Sequence, residues 1–176
     1  MKKPTHYEAF LKLETGSHTA YINQILASAD GKTLISKGRD KTIRIWDVET
    51  KKQIGMLLGQ IGKGSEDGSV EAFALSADEK YLVALVWLYP AGTQEDDDRE
   101  TDVRVYELAT ANLHTRFRYP GTLWDLDFSA GPKGEYFVLV GNPKNSIRRN
   151  YVLVYNTNDI LRSAGKAPTP RTSVAL

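Results

Sequence analysis

The sequence predicts an all-β chain built from repeated four-stranded antiparallel units. Two observations carry this. Three segments share one internal grammar, and their apolar residues alternate with a period of two, while no helical period recurs beyond a short turn near residues 159–163. The first copy reads Ile22-Asn23-Gln24-Ile25-Leu26-Ala27-Ser28-Ala29-Asp30-Gly31-Lys32-Thr33-Leu34 and later Ile43-Arg44-Ile45-Trp46-Asp47. The second reads Val70-Glu71-Ala72-Phe73-Ala74-Leu75-Ser76-Ala77-Asp78 and later Val103-Arg104-Val105-Tyr106-Glu107. The third reads Leu123-Trp124-Asp125-Leu126-Asp127-Phe128-Ser129-Ala130, then Tyr136 to Leu139, then Val152-Leu153-Val154-Tyr155-Asn156.

Each copy gives an apolar strand, a turn at Ser-Ala, a second apolar strand, a variable hairpin and a strictly alternating third strand. In that third strand Ile43 and Ile45 share one face, and Arg44 and Trp46 share the other. A fourth strand follows in the first two copies, over Gln53 to Leu58 and Leu113 to Arg118. Short strands in fours, separated by turn residues, are the signature of propeller blades. The third copy offers no convincing fourth strand. Ser163-Ala164-Gly165-Lys166-Ala167-Pro168-Thr169-Pro170 reads instead as a flexible tail over residues 161–176. Ahead of the first copy, Tyr7, Ala9, Leu11 and Leu13 alternate with His6, Glu8, Phe10 and Lys12 as a further strand. The expected division is therefore a strand in residues 1–15, units over 16–60, 61–119 (with a long acidic hairpin) and 120–160, and a tail.

In order and spacing, Gly16-Ser17-His18, Ser28-Ala29-Asp30-Gly31-Lys32, Ser36 and Asp40-Lys41-Thr42-Ile43-Arg44-Ile45-Trp46-Asp47 resemble a WD repeat. The resemblance covers roughly residues 16 to 158 and is strongest in the first copy. It implies about three blades of a WD-repeat β-propeller, and a hydrogen-bonded structural tetrad of His18, Ser36, Asp40 and Trp46 in the first. The later copies carry Tyr106-Glu107 and Tyr155-Asn156 and lack the histidine, so they are expected to rest on packing more than on a polar network. The resemblance also implies a partner-binding rim at Tyr21, Asn23, Arg39, Ser69, Glu71, Thr122 and Trp124. Trp124 is either an exposed anchor there or a buried core residue.

Several other chemistries fail on residue type or spacing. His18, Ser36 and Asp40 match a hydrolase set by type, but here the hydroxyl is expected to bond an indole, so no catalytic residue is assigned. Gly59-Gln60-Ile61-Gly62-Lys63-Gly64-Ser65 breaks the phosphate-loop spacing, because its lysine does not directly precede the serine. Glu95-Asp96-Asp97-Asp98-Arg99-Glu100 lacks the glycine turn of a calcium loop and reads as a solvated acidic hairpin. The matching hairpin of the third copy carries Lys144, Arg148 and Arg149. His6 and His114 stand alone, so neither a metal nor a cofactor is expected. Trp87 and Tyr89 are expected under the acidic hairpin.

The 176 residues hold no cysteine and a net charge of +1, which fits a globular cytoplasmic chain without disulfides or a drive toward nucleic acid. No signal peptide is seen, and the apolar run from Tyr81 to Pro90 is too short to cross a membrane. A closed propeller usually has 4–8 blades. Three leave two bare faces, so the ring is expected to stay incomplete unless the chain forms a homo-oligomer or another propeller segment completes it. The expected function is a non-catalytic protein-interaction scaffold. The alternative is the N-terminal regulatory segment of a larger bacterial signalling protein with an effector such as a caspase-like peptidase, to whose opening this sequence is loosely similar.

Overall fold

The computed structural model describes residues 16–58, 67–90, 99–129, 134–144 and 150–175. The strand expected over 1–15, the stretch from Gly59 to Ser65, the acidic residues 95–98 and the basic pair Arg148 and Arg149 lie outside them.

Three four-stranded antiparallel sheets make up the described chain. The first contains β1 (Ile22–Ala27), β2 (Thr33–Gly38), β3 (Thr42–Asp47) and β4 (Lys52–Leu58) in chain order. The second contains β5 (Val70–Leu75), β6 (Tyr81–Leu88), β7 (Glu100–Glu107) and β8 (Leu113–Tyr119), also in chain order. The third is β9 (Gly121–Phe128), β10 (Tyr136–Pro143), β11 (Tyr151–Asn156) and β12 (Thr172–Ala175), with the helix α1 (Thr157–Leu161) inserted before its last strand.

The Ser-Ala turns are locked by side chains, which is why the copies share them. Ser28 Oγ donates to Asp30 (2.7 Å) and accepts the Thr33 N–H (2.9 Å), while Asp30 also accepts the Lys32 N–H. The second blade repeats this with Ser76, Asp78 and Tyr81, and in the third Ser129 Oγ accepts the Tyr136 N–H. Asp30 and Asp78 both have lowered pKa values. Hydrogen bonds to Lys32 N–H and Ser28 hold Asp30 down; at Asp78 burial works the other way but is outweighed by Ser76 and Lys80.

Period-two alternation gives each sheet two faces, and the core forms where the faces of successive sheets meet. Ile35, Ile43, Ile45 and Leu57 of the first sheet pack against Val70, Phe73, Leu82, Ala84, Val86 and Leu88 of the second. The opposite face of the second, including Ala72, Ala74, Val83, Leu85, Val103, Val105 and Phe117, packs against Leu126, Phe128, Phe137, Leu139, Leu153 and Tyr155 of the third. Burial pushes the Tyr155 phenol up to about 12, with the neighbouring Tyr119 adding to the shift.

Two expectations are corrected here. Residues 161–176 are not a free tail, because β12 pairs with β11 from Tyr151↔Ala175 to Val154↔Thr172 and supplies the fourth strand of the third blade. The third blade therefore extends past 160. The short helix begins at Thr157, two residues before the expected turn, where the Asn156 side chain accepts the Asn158 N–H as its cap. Its Ile160 is fully buried in the second core cluster, and Ala167 packs against the same cluster. The segment from α1 to β12 runs over β8: Leu161 O lies 3.1 Å from His114 Nε2, and Ser163 Oγ 3.3 Å from Thr115 Oγ1.

Ile160 is thus a clamp between two blades. Ile160→Ala is expected to lower stability by about 2–5 kcal/mol, as for other buried aliphatic truncations, seen as a lower urea midpoint.

Candidate functional site

The candidate site lies at the end of each sheet where the first strand begins and the hairpin between second and third strands turns. Backbone bonds tie these segments together: Arg39 N–H to Tyr21 O, Trp87 N–H to Ser69 O and Lys144 N–H to Pro120 O.

At this end of the first blade sits a continuous hydrogen-bonded chain. Asp40 Oδ1 and Oδ2 each lie 3.0 Å from His18 Nδ1, His18 Nε2 lies 2.8 Å from Ser36 Oγ, and Ser36 Oγ accepts the Trp46 indole N–H at 2.7 Å. Asp40 is the hub. It also accepts the Thr19 N–H, the Thr42 N–H and the Thr42 hydroxyl, and Arg44 Nη2 approaches it at 3.7 Å. Burial opposes its ionisation, but the hydrogen bonds from Thr19, Thr42 and His18 outweigh that and hold its pKa below 3.8. Gly38 makes room: a Cβ there would lie 2.5 Å from His18 Nδ1 and 2.7 Å from Asp40 Oδ1.

Ser36 is 2% exposed, and its hydroxyl is engaged by both an indole and an imidazole. That is the geometry of a strut, since a nucleophile must face a substrate pocket beside an oxyanion site.

Arg44 and Gln53 were not singled out from sequence. Arg44 is 1% exposed, and its Nη1 donates to Gln53 Oε1 at 2.6 Å. The signal lay in strand register, because Arg44 pairs directly with Ser36 and so shares its face. The second blade, expected to rest on packing more than on a polar network, also carries a buried ion pair. Arg104 occupies the place of Arg44 and donates to Asp102 at 2.8 Å, both groups buried. Burial alone would lower the Arg104 pKa, but the contacts with Asp102 and Tyr106 outweigh it and raise it.

The rim residues share a backbone feature that sequence could not show. The pairings Ile22↔Gly38 and Gln24↔Lys37 leave Asn23 as an extra residue in β1. In the same way Glu71 is extra between Val70↔Val86 and Ala72↔Leu85, and Trp124 between Leu123↔Gly141 and Asp125↔Val140. All three first strands thus carry a β-bulge at the equivalent position, a device that re-aims a side chain. Asn23 is exposed, Glu71 and Trp124 are half-buried, Ser69 and Thr122 are half-buried, Arg39 is exposed and Tyr21 is 82% exposed.

Polar latches join the blades just beneath this rim. Gln24 donates to Phe73 O at 2.8 Å and accepts the Phe73 N–H at 3.2 Å. Lys37, 4% exposed, donates to Glu71 O; burial lowers its pKa, opposed by Glu71 and Asp125. Between the next two blades, Thr101 Oγ1 donates to Gly121 O and accepts the Leu123 N–H, both at 2.9 Å, and the Trp87 indole donates to Leu123 O at 2.7 Å. Arg99 lies 3.9 Å from the centre of the Trp87 ring and donates to the Tyr89 hydroxyl. Trp87 is therefore part of the blade junction, with Tyr89 holding Arg99 beside it. No group of three or more His, Cys, Asp or Glu able to hold a metal occurs among the described residues, and no helix there is long and apolar enough to cross a membrane.

Comparison with known proteins agrees with this geometry. No family model matches the chain. It is 26% identical over 137 residues to the nuclear distribution protein nudF of Aspergillus niger, covering 73% of this chain and 29% of that protein. It is 27% identical over 124 residues to WD repeat-containing protein 1 of Xenopus tropicalis, covering 66% of this chain and 18% of that protein. A shorter stretch of 53 residues, 30% of this chain and 16% of the relative, is 40% identical to a guanine nucleotide-binding protein subunit beta-like protein of Encephalitozoon cuniculi. Among solved structures, the WD40 domain of Toxoplasma gondii coronin superposes with a TM-score of 0.60 at 12% identity, over 91% of this chain and 35% of that one. The chain thus spans less than a third of the curated relatives it matches. The class is a β-propeller assembled from four-stranded blades. Within it, the chain is similar to WD-repeat proteins, and its three four-stranded sheets match the blades of a WD40 domain.

The tetrad yields a pH signature. Because the folded Asp40 pKa lies below its unfolded value, its contribution is complete above the unfolded carboxylate pKa and is lost as pH falls through the folded one. Asp40→Asn is expected to lower the thermal midpoint clearly at pH 7, with the gap to the unaltered chain narrowing at pH 3. Trp46→Phe, which removes the indole N–H donor together with part of the packed ring, is expected to cost at least about 1–3 kcal/mol by urea denaturation.

Proposed function

We propose that this chain is a non-catalytic protein-interaction module, a portion of a WD-repeat propeller that meets its partner through the rim. The observation that carries this reading is the bulge repeated at Asn23, Glu71 and Trp124. Three equivalent strands each turn one side chain out of register at the same edge, and the residues chosen are an amide, a carboxylate and an indole. Packing alone asks for no such variety at a repeated position.

Next to them, Tyr21 is 82% exposed and Arg39 is exposed. Tyrosine, tryptophan and arginine carry most of the energy of protein interfaces. The tetrad and the latches hold these residues on a pre-formed surface, which reduces the ordering cost of binding. The mixed charge of the rim favours a protein partner over nucleic acid. Further blades cover the open outer faces of the first and third sheets.

The test is affinity capture followed by mass spectrometry. A chain with Tyr21→Ala, Arg39→Ala and Trp124→Ala is expected to keep its urea midpoint and lose the proteins held by the unaltered chain. Val48→Ala, at the opposite end of the first blade, is expected to retain them. An unchanged set of captured proteins in the triple variant would remove the rim from consideration. Covalent labelling of Ser36 by a serine-directed probe would overturn the non-catalytic reading.

A further inference from the structure

We infer that the open face of the third blade receives a further β blade that brings cationic side chains to Asp125 and Asp127, and that a second copy of this chain does not fit it. This rests on the reading of the chain as propeller blades with open flanks, and goes beyond it by naming the chemistry of the missing neighbour.

The repeats place the face unambiguously. Phe73 of β5 packs toward the first sheet, and Ala72 and Ala74 pack toward the third. In β9, Leu126 and Phe128 pack toward the second sheet, so by alternation Asp125 and Asp127 point away from it. They occupy the positions of Gln24 and Leu26 in β1 and of Ala72 and Ala74 in β5, the places from which each blade meets the next. Beside them the described face is mainly apolar, with Arg171 lying over the Tyr136 ring at its far end. Val138, Val140, Val152 and Val154 are half-buried, and Val174 is 52% exposed. The corresponding Val83, Leu85, Val103 and Val105 of the second blade are 0% exposed. A sheet face of this composition is completed by another sheet.

The two carboxylates decide which sheet. Each now accepts only the N–H of its own following residue, Leu126 at 2.9 Å and Phe128 at 2.8 Å. Lys37, the cation whose field reaches Asp125, is already committed to Glu71 O. The face a second copy would offer is the bare side of the first blade, with Ile25 66%, Ile54 62% and Met56 38% exposed. On β1, the strand that would meet β9, Ile25 and Ala27 point that way and neither is basic; Arg44 of β3 shares this face but is 1% exposed, with Nη1 bonded to Gln53 and Nη2 3.7 Å from Asp40.

In such a docking Asp125 would meet Ile25 as Gln24 meets Phe73, since Ile25↔Ser36 and Phe73↔Ala84 are equivalent pairings. Gln24 both donates to and accepts from that backbone. A carboxylate only accepts, so the Ile25 carbonyl would be buried against a negative charge. Asp127 would land on alanine and isoleucine. Unpaired buried carboxylates are costly enough to cancel the gain from the valine face. A blade with Lys or Arg at the places of Ile25 and Ala27 pairs both.

Sedimentation velocity of the full chain at neutral pH tests this. The unaltered chain is expected to sediment as a single copy at every concentration. Asp125→Gln with Asp127→Leu, which grafts the β1 pattern onto β9, is expected to shift it to head-to-tail assemblies. Ile25→Lys with Ala27→Lys, which builds the cationic face on the same chain, is expected to do so at low salt and revert at high salt. The inference is overturned if the unaltered chain forms an oligomer that Asp127→Lys disrupts, or if either double variant, folded by circular dichroism, stays a single copy. These outcomes are separable from the capture experiment, because the residues altered there, Tyr21, Arg39 and Trp124, are left unchanged here.

Discussion

Face-to-face burial between successive sheets is the constraint on which the rest of this structure depends. A four-stranded blade has two apolar faces and no other element to shelter them, so each is stable only through its neighbours. The second blade shows the full arrangement, with Phe73 and Leu82 buried toward one neighbour and Val83 and Val103 toward the other. The first and third blades show half of it. Their inner faces are as dry as any protein core, while Ile25 on one outer face and Val174 on the other remain exposed.

Polar groups fix the registration that nondirectional burial leaves free. Gln24, Lys37, Thr101 and Trp87 each reach backbone groups of the next blade, and those groups lie on first strands whose outer edges have no pairing strand. Within the first blade the bonds from Asp40 through His18 and Ser36 to Trp46 tie a loop, two strands and a turn together. The second blade instead pairs Asp102 and Arg104 along one strand face. The bulged edge is a by-product of this order: the latches and the bulges share the same few residues of each first strand.

Much of this was legible in the residues. Period-two alternation identified the strands, and Ser28-Ala29-Asp30 and Asp40-Lys41-Thr42 are turns whose side chains satisfy their own backbone, so they signal themselves locally. His18, Ser36, Asp40 and Trp46 could be named because the first copy resembles a WD repeat in order and spacing, and that resemblance implies the tetrad. The last strand was not legible, because Thr172-Ser173-Val174-Ala175 is short, fully exposed and separated from β11 by a helix. An edge strand of that kind is defined by its pairing and carries no apolar alternation of its own.

Sequence alone determined the strand repeats and their number in the described chain and, through the resemblance of the first copy to a WD repeat, the tetrad, since each depends on contacts within a repeat. Tertiary structure alone decided the bulges at Asn23, Glu71 and Trp124, the burial of Arg44, the latches between blades and the side of β9 on which Asp125 and Asp127 stand. Those features depend on register between strands and on which sheet lies beside which, and a one-residue slip in register moves a side chain to the opposite face.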